Sequence, residues 1–339
     1  MTLLEACRGI AALLIVAFHT TGLFRLKFGE PFLGSIFAFG DAGVDFFFVL
    51  SGFFFAISSI KYAGEKSQMT IFFYKKLVRI YPFYLLVTAA VIPMYILFPQ
   101  FGSGHERGVK VILKSLLLLP QDNFPILSVA WFLSHIVLFY FVFGWAIFFR
   151  SRLASILVGS WLALSAMVMA VDLCLGFDFL HRLNFLVGFF FSYHNLEFAL
   201  GGLVAIAIQS AVRKRFSALP TFIVGCLGFA AFGMVEVYFL NLSSPALHYY
   251  EFFAYGLTSA VIVLGAALVD IQHHLKPNRY FSSLGKASYA IYLTHYLLLS
   301  IFTKLILSLG NLGIGIRTSA MVLSGLATVL IGIAIHKVI

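Results

Sequence analysis

Charge is what this chain of 339 residues has least of. Asp, Glu, Lys and Arg make up 11% of it, against 61% hydrophobic residues and 40 phenylalanines. A water-soluble domain of that length cannot hide so much apolar surface, so the solvent is lipid and a soluble enzyme is excluded. Cysteine is scarce too. Cys7, Cys174 and Cys226 fall in or beside apolar runs at unrelated spacings, which suggests neither a disulfide framework nor a metal site. No loop is long enough for a folded soluble domain. The net charge of +10 would suit a nucleic-acid binder, but such proteins gather their basic residues on a solvated domain. No nucleic-acid partner is therefore expected. An internal repeat is absent as well, which weakens the case for an inverted-repeat transporter. The first apolar run has no small-x-small exit and carries a histidine, so it reads as a retained helix rather than a cleaved leader.

What the chain has instead is hydrophobic length. Hydropathy and helix breakers mark ten spans, at 8–24, 36–59, 80–98, 129–149, 153–171, 195–212, 219–240, 250–270, 284–308 and 317–338. The expected fold is all-α: a polytopic transmembrane helical bundle forming one integral-membrane domain over residues 1–339. The segment 109–119 is too short to span. Its Lys110 and Lys114 lie on one face, which suits a short interfacial helix. A second short piece, 183–191, suits a re-entrant segment. With the N-terminus cytoplasmic, the cytoplasmic segments hold 15 of the 23 Lys and Arg, Arg150 and Lys276 among them; the other side, with Arg182, holds 8. The positive-inside rule then puts both termini in the cytoplasm.

Two residues of the first span do not belong there for packing reasons. Arg8 and His19 are eleven apart, three helical turns plus about 20°, so they share a face. Along the axis they stand roughly 16 Å apart, about half of a ~30 Å hydrocarbon core. A cation therefore sits at one rim and an imidazole near mid-depth. Ionisable groups inside a membrane cost several kcal/mol and are functional by default; the bland alternative is an imidazole that ties two helices together.

The second span opens with Asp41 and Asp45, four apart on one face. Asp41 suits a helix N-cap as well as it suits a functional role. Asp45 lies deeper and, set against the first helix, can accept a hydrogen bond from an imidazole and fix its tautomer. Between the second and third spans, Lys75, Lys76 and Arg79 form a basic helical face at the cytoplasmic surface. Such a face sets topology and touches anionic lipid; equally, it can seat the phosphates of a cytosolic donor.

At this point a resemblance becomes specific. Leu4-Glu5-Ala6-Cys7-Arg8-Gly9-Ile10-Ala11-Ala12-Leu13, followed by His19, resembles the opening of acyltransferase family 3, integral-membrane O-acyltransferases of bacterial envelope and secreted glycans. The run from Gly43 to Phe53 is similar to the family's second-helix motif. Lys76-Leu77-Val78-Arg79-Ile80-Tyr81-Pro82 is similar to its basic-x-x-Arg-Ile-x-Pro segment, with Lys76 where arginine is more usual. Glu197-Phe198-Ala199-Leu200-Gly201 resembles its Glu-Phe-x-x-Gly stretch, and Ser288-Tyr289-Ala290-Ile291-Tyr292-Leu293-Thr294-His295 its late Ser-Tyr-x-x-Tyr-Leu-x-His helix. One motif departs. Where many members carry Trp-Ser-Leu-Ser-Val-Glu-Glu, this chain reads Trp131-Phe132-Leu133-Ser134-His135-Ile136, without the acidic pair.

The resemblance implies a multi-pass enzyme of the bacterial cytoplasmic (inner) membrane. Its donor would be an acyl-coenzyme A, most often acetyl-CoA, and its acceptor a hydroxyl of an exopolysaccharide, lipopolysaccharide or similar glycan or glycolipid. No permanently bound cofactor or metal is implied. His19 would act as general base or acyl relay, with Asp45 orienting it and Arg8 holding the anionic donor arm; Lys75, Lys76 and Arg79 would seat the CoA phosphates. Asp41, Trp131, His135, Glu197, Ser288, Tyr292 and His295 are candidate cavity-lining residues. The rival expectation is a proton-coupled glycan transporter or flippase, which explains the intramembrane charge but not the basic cytoplasmic face.

Overall fold

A computed structural model describes residues 1–98, 102–149, 151–175, 184–240, 247–273, 278–310 and 312–339. Arg150, Arg182, Lys276 and Leu183, invoked above, lie outside the described residues. The chain is helical, with no strand among the described residues. Its helices are α1 (Thr2–Phe28), α2 (Ala42–Ser59), α3 (Met69–Leu97), α4 (Val109–Leu116), α5 (Trp131–Phe149), α6 (Arg152–Leu175), α7 (Phe185–Phe190), α8 (His194–Gln209), α9 (Ala218–Phe239), α10 (Leu247–Glu251), α11 (Leu257–His273), α12 (Arg279–Ser308) and α13 (Ile314–Val338). A single π turn, Phe252–Gly256, joins α10 to α11. Among the described residues, ten helical stretches are long and apolar enough to cross a membrane. This is a multi-pass membrane protein.

Several boundaries differ from the hydropathy reading: α1 begins at Thr2 rather than 8, α2 at Ala42 rather than 36 and α12 at Arg279 rather than 284, and two further shifts have a plain physical reason. The third span begins at Met69, because the basic segment Lys75–Arg79 is itself the first turns of α3. Helix propensity of Lys and Arg carries the helix out past the apolar run. Pro82 and Pro93 lie inside α3 without ending it, as membrane helices permit. The sixth span starts earlier than expected. The short apolar piece becomes α7, whose N-terminus is capped by Asn184 Oδ1 accepting from Leu186 N at 2.8 Å, and it leads into α8. The short amphipathic segment does fold as a separate helix, α4. It is docked on α3 by Tyr84 Oη donating to Ser115 O at 2.6 Å and Tyr81 Oη donating to Leu117 O at 2.9 Å.

The chain divides into two compact units. The first comprises Met1–Phe47, Ala211–Ser244 and Thr258–Ile339; the second comprises Phe48–Ser210 and Pro245–Leu257. In the first, α1 lies along α12 with their backbones in near contact. A Cβ at Gly285 would overlap the Glu5 carbonyl, and one at Gly9 would meet Leu284 Cγ at 2.8 Å. Ser282 Oγ donates to Glu5 Oε2 at 3.0 Å beside this crossing. The free N–H groups at the start of α1 are met by a carboxylate distant in sequence: Leu3 N donates to Asp270 Oδ1 at 2.8 Å and Leu4 N to Asp270 Oδ2 at 3.3 Å. That carboxylate also faces the positive end of the helix dipole. Gly332 of α13 sits against Ile291 of α12 in the same manner.

In the second unit, the part of α2 from Phe48 onward packs on α8 through a reciprocal pair of glycines. A Cβ at Gly52 would overlap the Phe198 carbonyl, and a Cβ at Gly201 would overlap the Val49 carbonyl. Lipid gives helices no hydrophobic reason to associate, so such close backbone approach is what dispersion has to work with. The adjacent Gly202 is open, with nothing within 4 Å of the place a methyl group would take.

That contrast is testable within one helix. Gly201→Ala is expected to lower the thermal midpoint of the purified protein, since overpacking of this kind costs about 1–3 kcal/mol. Gly202→Ala is expected to leave it unchanged or raise it slightly, through the ~0.5–1 kcal/mol helix preference of alanine. Equal midpoints for both variants would mean that α2 and α8 do not touch at Gly201.

Candidate functional site

The first unit brings two imidazoles together, and helix register explains how. α1 and α12 touch at Gly9 and Gly285 and run parallel from there. Ten residues on, about 15 Å along both axes, lie His19 and His295. Their ring centroids are 5.0 Å apart, and the ring of Tyr296 is 5.1 Å from that of His19. His295 is fully buried. Its Nδ1 is 2.6 Å from Tyr292 O, so Nδ1–H donates to that carbonyl and the neutral ring keeps its lone pair on Nε2. Nε2 has no hydrogen-bond partner among the described residues, and neither has the buried Oγ of Ser288. Tyr292 is buried beside His295 at 5.8 Å between ring centroids and contacts the ring of Phe47 at 6.0 Å. An imidazole with an open lone pair beside a half-buried second imidazole can accept and pass on a proton.

Not every expected partner appears in this cluster. The rings grouped with His19 are His295, Tyr296 and Phe18. Asp45 is buried in the first turn of α2. Asp41 accepts at Oδ1 from the Ala42 N–H at 3.1 Å, immediately before α2, which is helix-start chemistry. Arg8 stands half-buried on α1, three turns before His19.

The second unit carries the basic cluster on α3. Lys75 and Arg79 are exposed. Lys76 is not: its Nζ donates to Ser58 Oγ at 2.8 Å and lies 4.9 to 5.3 Å from the ring centroids of Phe55, Phe72 and Tyr140. An ammonium held over three rings is committed to packing. The face read from sequence as three equivalent cations is therefore two open cations and one caged one. Gly64 N donates to Ile147 O at 3.1 Å, near the last turn of α5.

Around the first turns of α5 the second unit holds an open-sided cavity of about 480 Å³. Trp131 and His135 line it, as expected; Gln121, Asp172, His194 and Tyr249 join them. His194 is stacked on Phe48, centroids 4.3 Å apart at 23°, and its Nδ1 lies 2.9 Å from Oε2 of the fully buried Glu197. The Glu197 side chain also borders Gly256 of the π turn, where a Cβ would meet its Oε1 at 3.1 Å. The widened turn makes room for that carboxylate. Tyr249 Oη donates to Asp172 Oδ2 at 2.6 Å.

His194, Asp172, Tyr249 and Gln121 went unnoticed in the sequence. His194 had one available signal: it precedes Glu197 by three residues, so the two share a helix face. The others had none, since each lies on a different element.

The sequence profile of the acyltransferase domain family called acyltransferase 3 matches residues 2–337. The chain belongs to this family. It is also similar to the exopolysaccharide production protein ExoZ of Rhizobium meliloti (strain 1021), with 29% identity over 327 residues that cover 90% of each chain. No solved structure matches the chain. Membership of the acyltransferase 3 family assigns the chemistry to acyl transfer, carried out by a multi-pass membrane protein.

The His194–Glu197 pair gives a prediction of its own. Removing either partner takes a hydrogen bond from a buried polar group, so Glu197→Ala and His194→Ala are each expected to destabilise the protein by roughly 1–3 kcal/mol. The double variant should cost less than the sum of the two. Strict additivity in thermal unfolding would show that the two side chains do not interact.

Proposed function

We propose that the protein is an O-acyltransferase of the bacterial cytoplasmic membrane. It moves an acyl group, most simply acetyl, from acyl-CoA on the cytoplasmic side to a hydroxyl of an envelope or secreted saccharide. The observation that carries the reading is the His19–His295 ring pair held inside the bilayer on two glycine-coupled helices of an acyltransferase family member. The similarity to a protein named for exopolysaccharide production supports a saccharide as the acceptor class.

The chemistry needs few parts. The acceptor oxygen attacks the thioester carbon, the C–S bond breaks, and coenzyme A leaves as the thiol. The proton lost by the hydroxyl passes to His19 and from there to the departing sulfur. His295, with an open Nε2 beside it, is a second stop on that route. General-base help of this kind is worth about 10²- to 10⁴-fold in rate. Asp45 orienting the base, and Arg8 steadying the donor arm, remain part of the proposal. Of the basic cluster, Lys75 and Arg79 are the phosphate seat, because Lys76 is already engaged by Ser58 and three rings. The ten candidate spans among the described residues, an even number, and the bias of the positive-inside rule support both termini on the cytoplasmic side.

Two sets of variants test this. His19→Ala should lower acyl transfer by about 10²-fold or more while leaving acyl-CoA affinity intact, because the imidazole acts on the proton and not on the phosphates. A His19→Ala protein that transfers acetyl at the native rate removes the base from the mechanism. Charge reversal at Lys75 and Arg79 should weaken acyl-CoA binding roughly 10- to 100-fold, and native binding should weaken with added salt. Unchanged affinity would return these cations to the role of topology signals. Lys76→Glu is expected to act differently, lowering thermal stability through loss of its cage.

A further inference from the structure

The proposed mechanism gives His19 a proton to take but does not say what holds its ring. Among the described residues, no hydrogen bond reaches either nitrogen of His19. The torsion that sets the plane of an imidazole is broad and roughly two-fold, so covalent preference does not fix it either. What touches the ring is aromatic. We infer that Tyr296 is a positioning residue: its ring, and not its hydroxyl, holds the imidazole plane of His19.

Three rings lie against His19, and they are not equivalent. Phe18 stands at 5.0 Å between centroids and 69° between planes. It is the preceding residue on α1 and travels with His19, so it cannot fix the imidazole relative to another helix. His295 stands at 5.0 Å and 41°, neither stacked nor edge-on. Its own plane is fixed by the 2.6 Å bond from Nδ1–H to Tyr292 O, so it serves as a wall. Tyr296 stands at 5.1 Å and 73°, the edge-to-face arrangement that aromatic pairs prefer, and it comes from α12. An edge-to-face contact is lost when either ring turns, so it selects one plane. Tyr296 is half-buried, and among the described residues no hydrogen bond reaches its hydroxyl. The phenol therefore brings a ring to His19 and no proton. Gly9 and Gly285 set the height at which α1 and α12 bring these residues together; Tyr296 sets the angle. A base must aim its lone pair at the hydroxyl it deprotonates, because proton transfer needs hydrogen-bond geometry. Asp45, in the proposal above, acts on which nitrogen carries the proton, and Tyr296 on where that nitrogen points. That the held ring is the catalytic base rests on the function proposed above; that it is held does not.

The first test is therefore made without any substrate. Full-length protein labelled in its histidine rings is reconstituted in phospholipid bilayers, and ring mobility is read by solid-state NMR as an order parameter. The His19 signal is the one lost in His19→Gln. Its order parameter should fall in Tyr296→Leu, which keeps apolar bulk without an aromatic edge, and stay native in Tyr296→Phe, which keeps the ring. An unchanged order parameter in Tyr296→Leu overturns the inference. The second test reads acetyl transfer from acetyl-CoA to short glucose and galactose oligosaccharides. Tyr296→Leu should lower kcat about 3- to 10-fold, the size of one edge-to-face pair, with KM for acetyl-CoA unchanged. The conservative variant Tyr296→Phe should restore most of the rate. Tyr280→Leu, at a tyrosine 83% exposed on the same helix, should match the native protein. Equal losses in Tyr296→Leu and Tyr296→Phe overturn the inference, since they put the hydroxyl to work. So does a native kcat in Tyr296→Leu beside an inactive His19→Ala. Native transfer by His19→Ala instead defeats only the base assigned above, and the order parameter then decides whether Tyr296 holds the ring. It decides likewise where neither sugar series accepts acetyl.

Discussion

Close approach of helix backbones at glycine is the constraint on which the rest of this structure depends. In water, helices associate because apolar faces leave the solvent; in lipid that incentive is gone, and contact area must come from backbones drawn together. Gly9 and Gly285 do this for α1 and α12, and Gly52 with Gly201 for α2 and α8. A methyl group at Gly201 or Gly285 would overlap a carbonyl of the facing helix, so these contacts admit one register only. Once the register of α1 and α12 is set, His19 and His295 arrive at the same height without further adjustment. The imidazole pair is a consequence of a glycine contact three turns away.

The second consequence is how polar groups are satisfied in a medium with no water to satisfy them. The backbone takes care of most of its own bonds within helices. Side chains meet part of the remainder over long sequence distances: Asp270 meets the first N–H groups of α1, Tyr84 a carbonyl at the end of α4, and Glu197 the imidazole of His194. Some buried polar atoms are met by neither: Nε2 of His295 and of His135 and Oε1 of Gln121 have no hydrogen-bond partner among the described residues, and the same holds for the hydroxyls of Thr88, Ser259, Ser288 and Thr328.

A family motif and the local structure can disagree over what a residue is for. The basic segment illustrates this. In the sequence Lys75, Lys76 and Arg79 are one charged face, and the face is real on α3. Yet the aromatic density of this chain, with Phe55, Phe72 and Tyr140 converging, claims the middle cation. The stretch after Trp131, where the resemblance led one to expect an acidic pair, is similar. His135 stands in that region, with its own carbonyl partner and an Nε2 that has no partner among the described residues.

The all-helical bundle, its ten crossings and the identity of the chain as a membrane acyltransferase were all legible in the sequence, because they follow from composition, run length and short motifs that lie on single helices. So were the positions of Arg8 and His19 on one face, since an eleven-residue spacing is a property of the helix alone. What surrounds His19 was not. The pairing with His295 joins residues 276 apart, and no periodicity within α1 carries that information. The cavity was less legible still. Gln121, Asp172 and Tyr249 lie in a loop and two separate helices, and each looks ordinary in its own neighbourhood. Local pattern determines which helices form and which faces they own. Only the packing of those helices decides which polar atoms are left without partners, because that depends on every neighbour at once.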